Sequence, residues 1–258
     1  MVLKKSLVIL SLTFTVLLSR IVFAGALEDC SEYTRMGIPG QDGDLLCRTG
    51  YLLSHSSSNK TPFWVIEHLT QEKADANDVK RYDKFMADPN LEKGKRAELS
   101  DYKNSGYDRG HMAPAADMKW SHAAMIDCFF LSNMVPQAGL GMNRGIWARL
   151  EDDVRKWAVS RGELFVYTGP IYVAEVKKTI GGNHVAVPTH LYKIVFAPST
   201  HEVIAFIMPN IPIKTEDMPN YLVPVRVVED LTGLDFLSVF DKQTQDDIET
   251  KKGDGFWQ

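Results

Sequence analysis

The sequence predicts an α+β protein with a mixed, mainly antiparallel sheet flanked by helices. Three observations carry that expectation. Runs rich in β-branched and aromatic residues recur at 62–69, 163–168, 192–197 and 203–208, which is the composition of half-buried strands. The last two are joined by only a few residues around Pro198-Ser199, too few for a crossover and enough for a hairpin. Between the strand-rich ends lies 143–161, where Ile146, Leu150, Val154 and Trp157 recur at helical spacing.

The elements follow in order. Residues 25–60 are rich in Gly, Ser and polar residues and read as a loose lead-in with a short strand near 50–54. A strong strand covers 62–69. Residues 70–106 are polar, with a turn at Asp88-Pro89-Asn90. An extended segment ends at His111, and Pro114 disfavours helix for Ala113. A short helix is expected within 115–125, a strand at 127–132, and a flexible loop with two glycines at 138–142. The long helix then runs from Asn143 to Arg161 and stops at Gly162. The strand at 163–168 is expected to break at Gly169-Pro170. Further strands fall at 185–187, 192–197 and 203–208, then a helix and a turn within 227–236, then a tail from Lys251.

The chain has 258 residues, 45% hydrophobic and 24% charged, enough for one sizeable core. Lys4 and Lys5 precede an apolar run from Leu7 to Leu18, and small residues follow at Ala24-Gly25-Ala26. That order reads as a signal peptide over 1–24, with one domain at 25–258, a secreted or periplasmic location and no stable membrane association after cleavage. Residues 1–24 hold three of the 29 basic residues and none of the 33 acidic ones, so the remainder carries 26 against 33, a net of −7. An acidic chain argues against tight stoichiometric nucleic-acid binding and only weakly against catalysis at a locally positive site. In an exported chain Cys30 and Cys47 could close a short loop, worth about 3 kcal/mol. Cys128 reads as a buried thiol.

The chemistry concentrates in three blocks: Asp108-Arg109-Gly110-His111, then Ser132-Asn133-Met134-Val135-Pro136-Gln137, then Asn143-Arg144-Gly145-Ile146-Trp147-Ala148-Arg149-Leu150-Glu151. His111 is the side chain best suited to move a proton near neutrality. Arg109 offers a planar fork for a phosphate. Asn143, Trp147, Glu151 and Arg155 are four apart, hence on one helical face. The bland reading of Glu151 and Arg155 is a surface ion pair. In order and spacing the blocks resemble the DNA/RNA non-specific endonucleases, the family that includes mitochondrial endonuclease G and secreted bacterial nucleases. The likeness runs from about Pro62 to Phe240.

The resemblance implies a ββα-metal site. His111 matches the general base and Asn143 the metal ligand. Glu151 matches the acid that reaches the metal through water. Arg109 and Arg155 match arginines near the phosphate, and Asn133 a site asparagine that orients His111 or a water. Arg81 stands for a further substrate arginine upstream, although the position directly before Lys84-Phe85 is Asp83. Mg²⁺ is implied, with Mn²⁺ as substitute, and DNA and RNA as substrates cut to 5′-phosphate ends. A single neutral oxygen plus phosphate suits Mg²⁺, which keeps most of its waters. Activity is expected to fall at acid pH as His111 takes up a proton. A homodimer is left open. Asp117 reads as a solvated loop acid, and His68, His122, His184, His190 and His201 as structural. Two other readings stand: the same fold as a catalytically inactive nucleic-acid-binding module, and a different hydrolase. Against the latter, no Gly-x-Ser-x-Gly or His-Glu-x-x-His is present.

Overall fold

The structure, a computed structural model, describes residues 30–173, 178–253 and 255–257. The expected leader at 1–24 lies outside the described residues. Seven antiparallel strands form the central sheet in the order β1-β2-β3-β6-β9-β10-β11. These are β1 Asp44–Cys47, β2 Leu52–Ser56, β3 Thr61–Thr70, β6 Glu163–Ile171, β9 His190–Ala197, β10 Glu202–Pro209 and β11 Leu222–Val223. Two small sheets stand apart from it. One pairs β4 Asp108–His111 with β5 Met134–Gln137, the other β7 Thr179–Ile180 with β8 Val185–Ala186.

The central strands are apolar on both faces because both faces are covered. Along β3, Val65 and Leu69 enter one core while Trp64 and Ile66 enter the other. The first core is closed by the long helix Ala148–Arg161 through Leu150, Val154 and Trp157. Each such buried side chain contributes about 1.5–3 kcal/mol. The second core lies under helix Val225–Thr232 and the segment carrying Cys30. Cys30 and Cys47 are disulfide-bonded, as the spacing suggested. Cys128 is a buried free thiol.

Several expectations are corrected. The lead-in is ordered: β1 and β2 form the sheet's first hairpin, and Arg48 on it bonds buried Asp88 at 2.6 Å. Residues 127–132 are not a strand. Ser121 caps a helix over His122–Asp127 by accepting from the Ala124 amide, and a short turn over Leu131–Asn133 follows before β5 begins. The strand β6 does not stop at Gly169-Pro170. Beyond Thr168 it pairs with β9 alone, so Pro170 costs no ladder bond on the side that has lost its partner. Gly169 sits where a Cβ would meet the Tyr192 hydroxyl at 2.5 Å. A helix over Lys242–Glu249, capped by Asp241, was not foreseen. The tail is packed down: the Trp157 indole donates to the Trp257 carbonyl at 2.8 Å. No helix among the described residues is long and apolar enough to cross a membrane.

The long helix also starts later than its periodicity suggests. Regular helix begins at Ala148, and Arg144 and Gly145 have non-helical backbone angles. Asn143 is therefore not on the same regular face as Glu151. It arrives through an irregular wide turn over Gly139–Trp147.

Candidate active site

The hairpin β4–β5 carries the first half of the site. In its register Gly110 faces Val135 and His111 faces Met134. A Cβ at Gly110 would lie 2.0 Å from the Gln137 amide oxygen, so the glycine serves close packing within the hairpin. Buried Asn210 ties the hairpin to the sheet, donating to the carbonyls of Pro136 at 2.9 Å and Pro188 at 3.0 Å. The long helix carries the second half. Between them opens a cavity of about 680 Å³ lined by Arg81, Arg109, His111, Asn143 and Glu151, with Phe85 and Asp108 beside them.

His111 sits in an aromatic cage. Its ring centroid is 5.4 Å from Phe85 and 5.1 Å from Phe129. Nε2 is buried with no hydrogen-bond partner, which leaves Nδ1 as the nitrogen that faces the cavity. Burial, then the positive charges of Arg81 and Arg109, lower its pKa to about 3. The ring is thus neutral across the working range. A pKa this low would place any acid loss of activity through His111 well below about pH 6. We expect the His111 ring resonance to stay flat from pH 8 to 5 by NMR, and a midpoint near the ordinary value of about 6.5 would overturn that. The sign for stability follows. The unfolded chain binds this proton more readily, so stability is lost as pH falls below about 6.5, down to about 3.

Arg109 lies flat over Phe85, 4.0 Å from ring centroid to guanidinium carbon. Arg81 stacks on Phe129 at 5.1 Å and bonds Asp83 at 2.6 Å. Both cations line the cavity beside these aromatic rings.

Asn143 is oriented by Asp108. Its side-chain nitrogen donates to Asp108 Oδ2 at 2.9 Å, and Arg144 bonds the same oxygen at 2.8 Å. A carboxylate only accepts, so the amide nitrogen must face Asp108 and the amide oxygen is left for a ligand. Burial raises the Glu151 carboxyl to about 7; Lys193 opposes this and Asp117 adds to it. An acid so placed favours a nearby cation. Among the described residues no group of three or more His, Cys, Asp or Glu could hold a metal ion. The donors present, one amide oxygen and one carboxylate, fit an ion that keeps most of its own water.

Two sequence-matched residues are not where the resemblance put them. Asn133 is fully buried. Its oxygen accepts from the Ala113 amide at 2.9 Å, and its nitrogen donates to the carbonyls of Ala113 at 2.9 Å and Cys128 at 3.0 Å. With its donors and acceptor spent on backbone, it fixes the loop after His111 rather than the ring or a water. Arg155 does not line the cavity. It bonds Asp117 at 2.7 Å and also pairs with Asp152, rather than with Glu151. Asp117 is correspondingly no solvated loop acid, being 4% exposed. Burial pushes its carboxyl up, while the Arg155 guanidinium, which keeps its proton, pulls it down. The sequence reading missed the roles of Asp108, Asp117, Phe85 and Phe129. Asp108 stands in the first motif block and Asp117 close behind it. Nothing in the sequence singled out the two phenylalanines.

Known proteins bear on this geometry. A fission-yeast (Schizosaccharomyces pombe) protein named mitochondrial nuclease 1 is 39% identical over 228 residues, spanning 81% of this chain and 71% of that protein. Human mitochondrial endonuclease G is 34% identical over 219 residues, covering 80% and 73%. A solved structure of EndoG in complex with EndoGI matches with a TM-score of 0.79 and 33% identity, over 84% of this chain and 94% of that one. The expectation of a secreted or periplasmic protein is overturned by these relatives, several of which are named as mitochondrial nucleases. Residues 30–243 match the model of the DNA/RNA non-specific endonucleases, a family of metal-dependent nucleases, and the chain belongs to that family, with its ββα-metal fold.

Proposed function

We propose that the protein is a magnesium-dependent endonuclease that hydrolyses phosphodiester bonds of DNA and RNA with little sequence preference. The observation that carries this is the convergence of His111, Asn143, Glu151 and two arginines on one cavity. Nδ1 of neutral His111 takes a proton from the attacking water. The new bond forms at phosphorus and the bond to the 3′ oxygen breaks; that oxygen takes a proton from water, leaving a 5′ phosphate and a 3′ hydroxyl. Arg109 and Arg81 sit where a phosphate would be held. The Asn143 oxygen would hold Mg²⁺, with Glu151 reaching it through water. Bound there, the ion supplies positive charge for the phosphate and the leaving oxygen. We also read residues 1–24 as a leader absent from the mature chain.

The local charge favours this substrate. The cavity lining carries Arg81, Lys103, Arg109 and Arg144 against Asp108 and Glu151, although the whole chain is acidic at −4. Contacts to phosphate alone predict weak sequence preference and a rate that falls as salt rises. Purified protein should degrade plasmid DNA and RNA to a smear with Mg²⁺, lose activity in EDTA and leave 5′ phosphates on end-mapping. Binding without cleavage in Mg²⁺ would instead establish the inactive binding module, and a discrete fragment pattern would refute the lack of preference.

A further inference from the structure

The geometry points to Asp117 and Arg155 as a buried strut that sets the spacing between the base and the carboxylate, and so to two positioning residues rather than a second phosphate-binding arginine. This rests on the proposed roles of His111 and Glu151. The two halves of the site come from segments with no backbone hydrogen-bond ladder between them. His111 ends a hairpin strand, and its chain continues into the short turn Ala115–Met118, which holds Asp117. Glu151 lies on the long helix one turn before Arg155. The 2.7 Å bond from Arg155 to Asp117 joins those two segments across 38 residues of sequence.

Three features make the bond a fixed link. Asp117 is 4% exposed and the Arg155 side chain 18%, so screening by salt and water is weak. The second arm of the guanidinium pairs with Asp152 on the same helix, which holds the fork in one orientation. The surroundings are also charged: Lys193 and Glu67 from the sheet are buried close by and act on the same groups. Removing one partner would strand a buried charge in this layer. Both guanidinium arms are thus committed to carboxylates of the protein, whereas Arg109 and Arg81 line the cavity.

The test is a double-mutant cycle on the full chain. Asp117→Asn, Arg155→Gln and the double variant are assayed by single-turnover cleavage of a short duplex, with KM, melting temperature and Mg²⁺ titration measured alongside. Asp152→Ala tests the second arm: that acid is 59% exposed and on the helix itself, so its loss should be smaller than in either strut variant, and a loss as large overturns the strut. The strut requires both single variants to lose about 10- to 100-fold in rate at saturating duplex and Mg²⁺, the cost of a displaced catalytic group. KM for duplex should stay near wild type, and the double variant should be no worse than the worse single variant within about twofold. A phosphate role for Arg155 gives the opposite result: Arg155→Gln raises KM, Asp117→Asn is silent, and the strut is overturned. Additive losses overturn it too. If Asp117→Asn does not fold, Arg155→Lys decides. A lysine retains a cation for Asp117, so the strut expects a KM within about threefold of wild type, while a lost phosphate fork raises it at least about tenfold. Wild-type protein that fails to cleave at all refutes the proposed function. An active wild type with a dead His111→Ala and unaffected Asp117→Asn refutes only the strut.

Discussion

His111→Ala is expected to lower the single-turnover cleavage rate by about two to four orders of magnitude, the usual worth of a general base, while Mg²⁺-dependent nucleic-acid binding survives. The rate falls because the ring is the one neutral nitrogen base lining the cavity; its Nε2 is buried without a hydrogen-bond partner, which leaves Nδ1 to take the proton. Binding survives because the donors proposed for the ion, Asn143 and Glu151, belong to other segments. The arginines on the aromatic wall also remain. Removing the ring opens space between two phenylalanines, so the melting temperature is measured in parallel. A near-wild-type rate in a folded His111→Ala protein would remove the base assignment altogether.

Asn143→Ala should fail differently. The variant loses the amide oxygen that Asp108 turns toward the cavity, so the Mg²⁺ concentration needed for half-maximal rate should rise by about tenfold or more, and part of the activity should return at high Mg²⁺. Asp108→Asn probes the same point from behind. An asparagine there can donate as well as accept, so it no longer dictates which end of the Asn143 amide faces the ion. Its Mg²⁺ requirement should rise by less than that of Asn143→Ala, by about two- to tenfold. Both variants are read in one metal titration of single-turnover cleavage. An unchanged Mg²⁺ dependence in Asn143→Ala would move the metal elsewhere. His111→Ala and Asn143→Ala thus separate proton transfer from ion binding, roles that a shared cavity alone does not distinguish.

Much of the fold was legible because its signals are local. Strands β3, β6, β9 and β10 were placed by β-branched and aromatic runs, and the long helix by its 3.6-residue period and terminal glycine, which sits at a backbone φ of 89°. The errors fell where local signals conflict with tertiary ones. Cys128, Phe129 and Leu131 are buried in the core, and a run of buried apolar residues resembles a strand in composition. Pro170 reads as a breaker until one knows that β3 no longer pairs beside it. Helical spacing carried Asn143 onto the face of Glu151, but Arg144 and Gly145 leave the helical region and re-aim it.

By itself the sequence determined which residues were candidates for a site. The motif blocks named His111, Arg109, Asn143 and Glu151, and all four line the same cavity. Only the tertiary structure decided what each is free to do. His111 is neutral because of burial and two arginines brought over it. Asn143 offers its oxygen because Asp108, 35 residues away, accepts from its nitrogen. Arg155 turns inward because Asp117, 38 residues away, waits beneath the helix. Spacing along a chain reports which side chains share a local face. Solvation and hydrogen-bond occupancy depend on distant segments closing around them, and these set charge, orientation and reach.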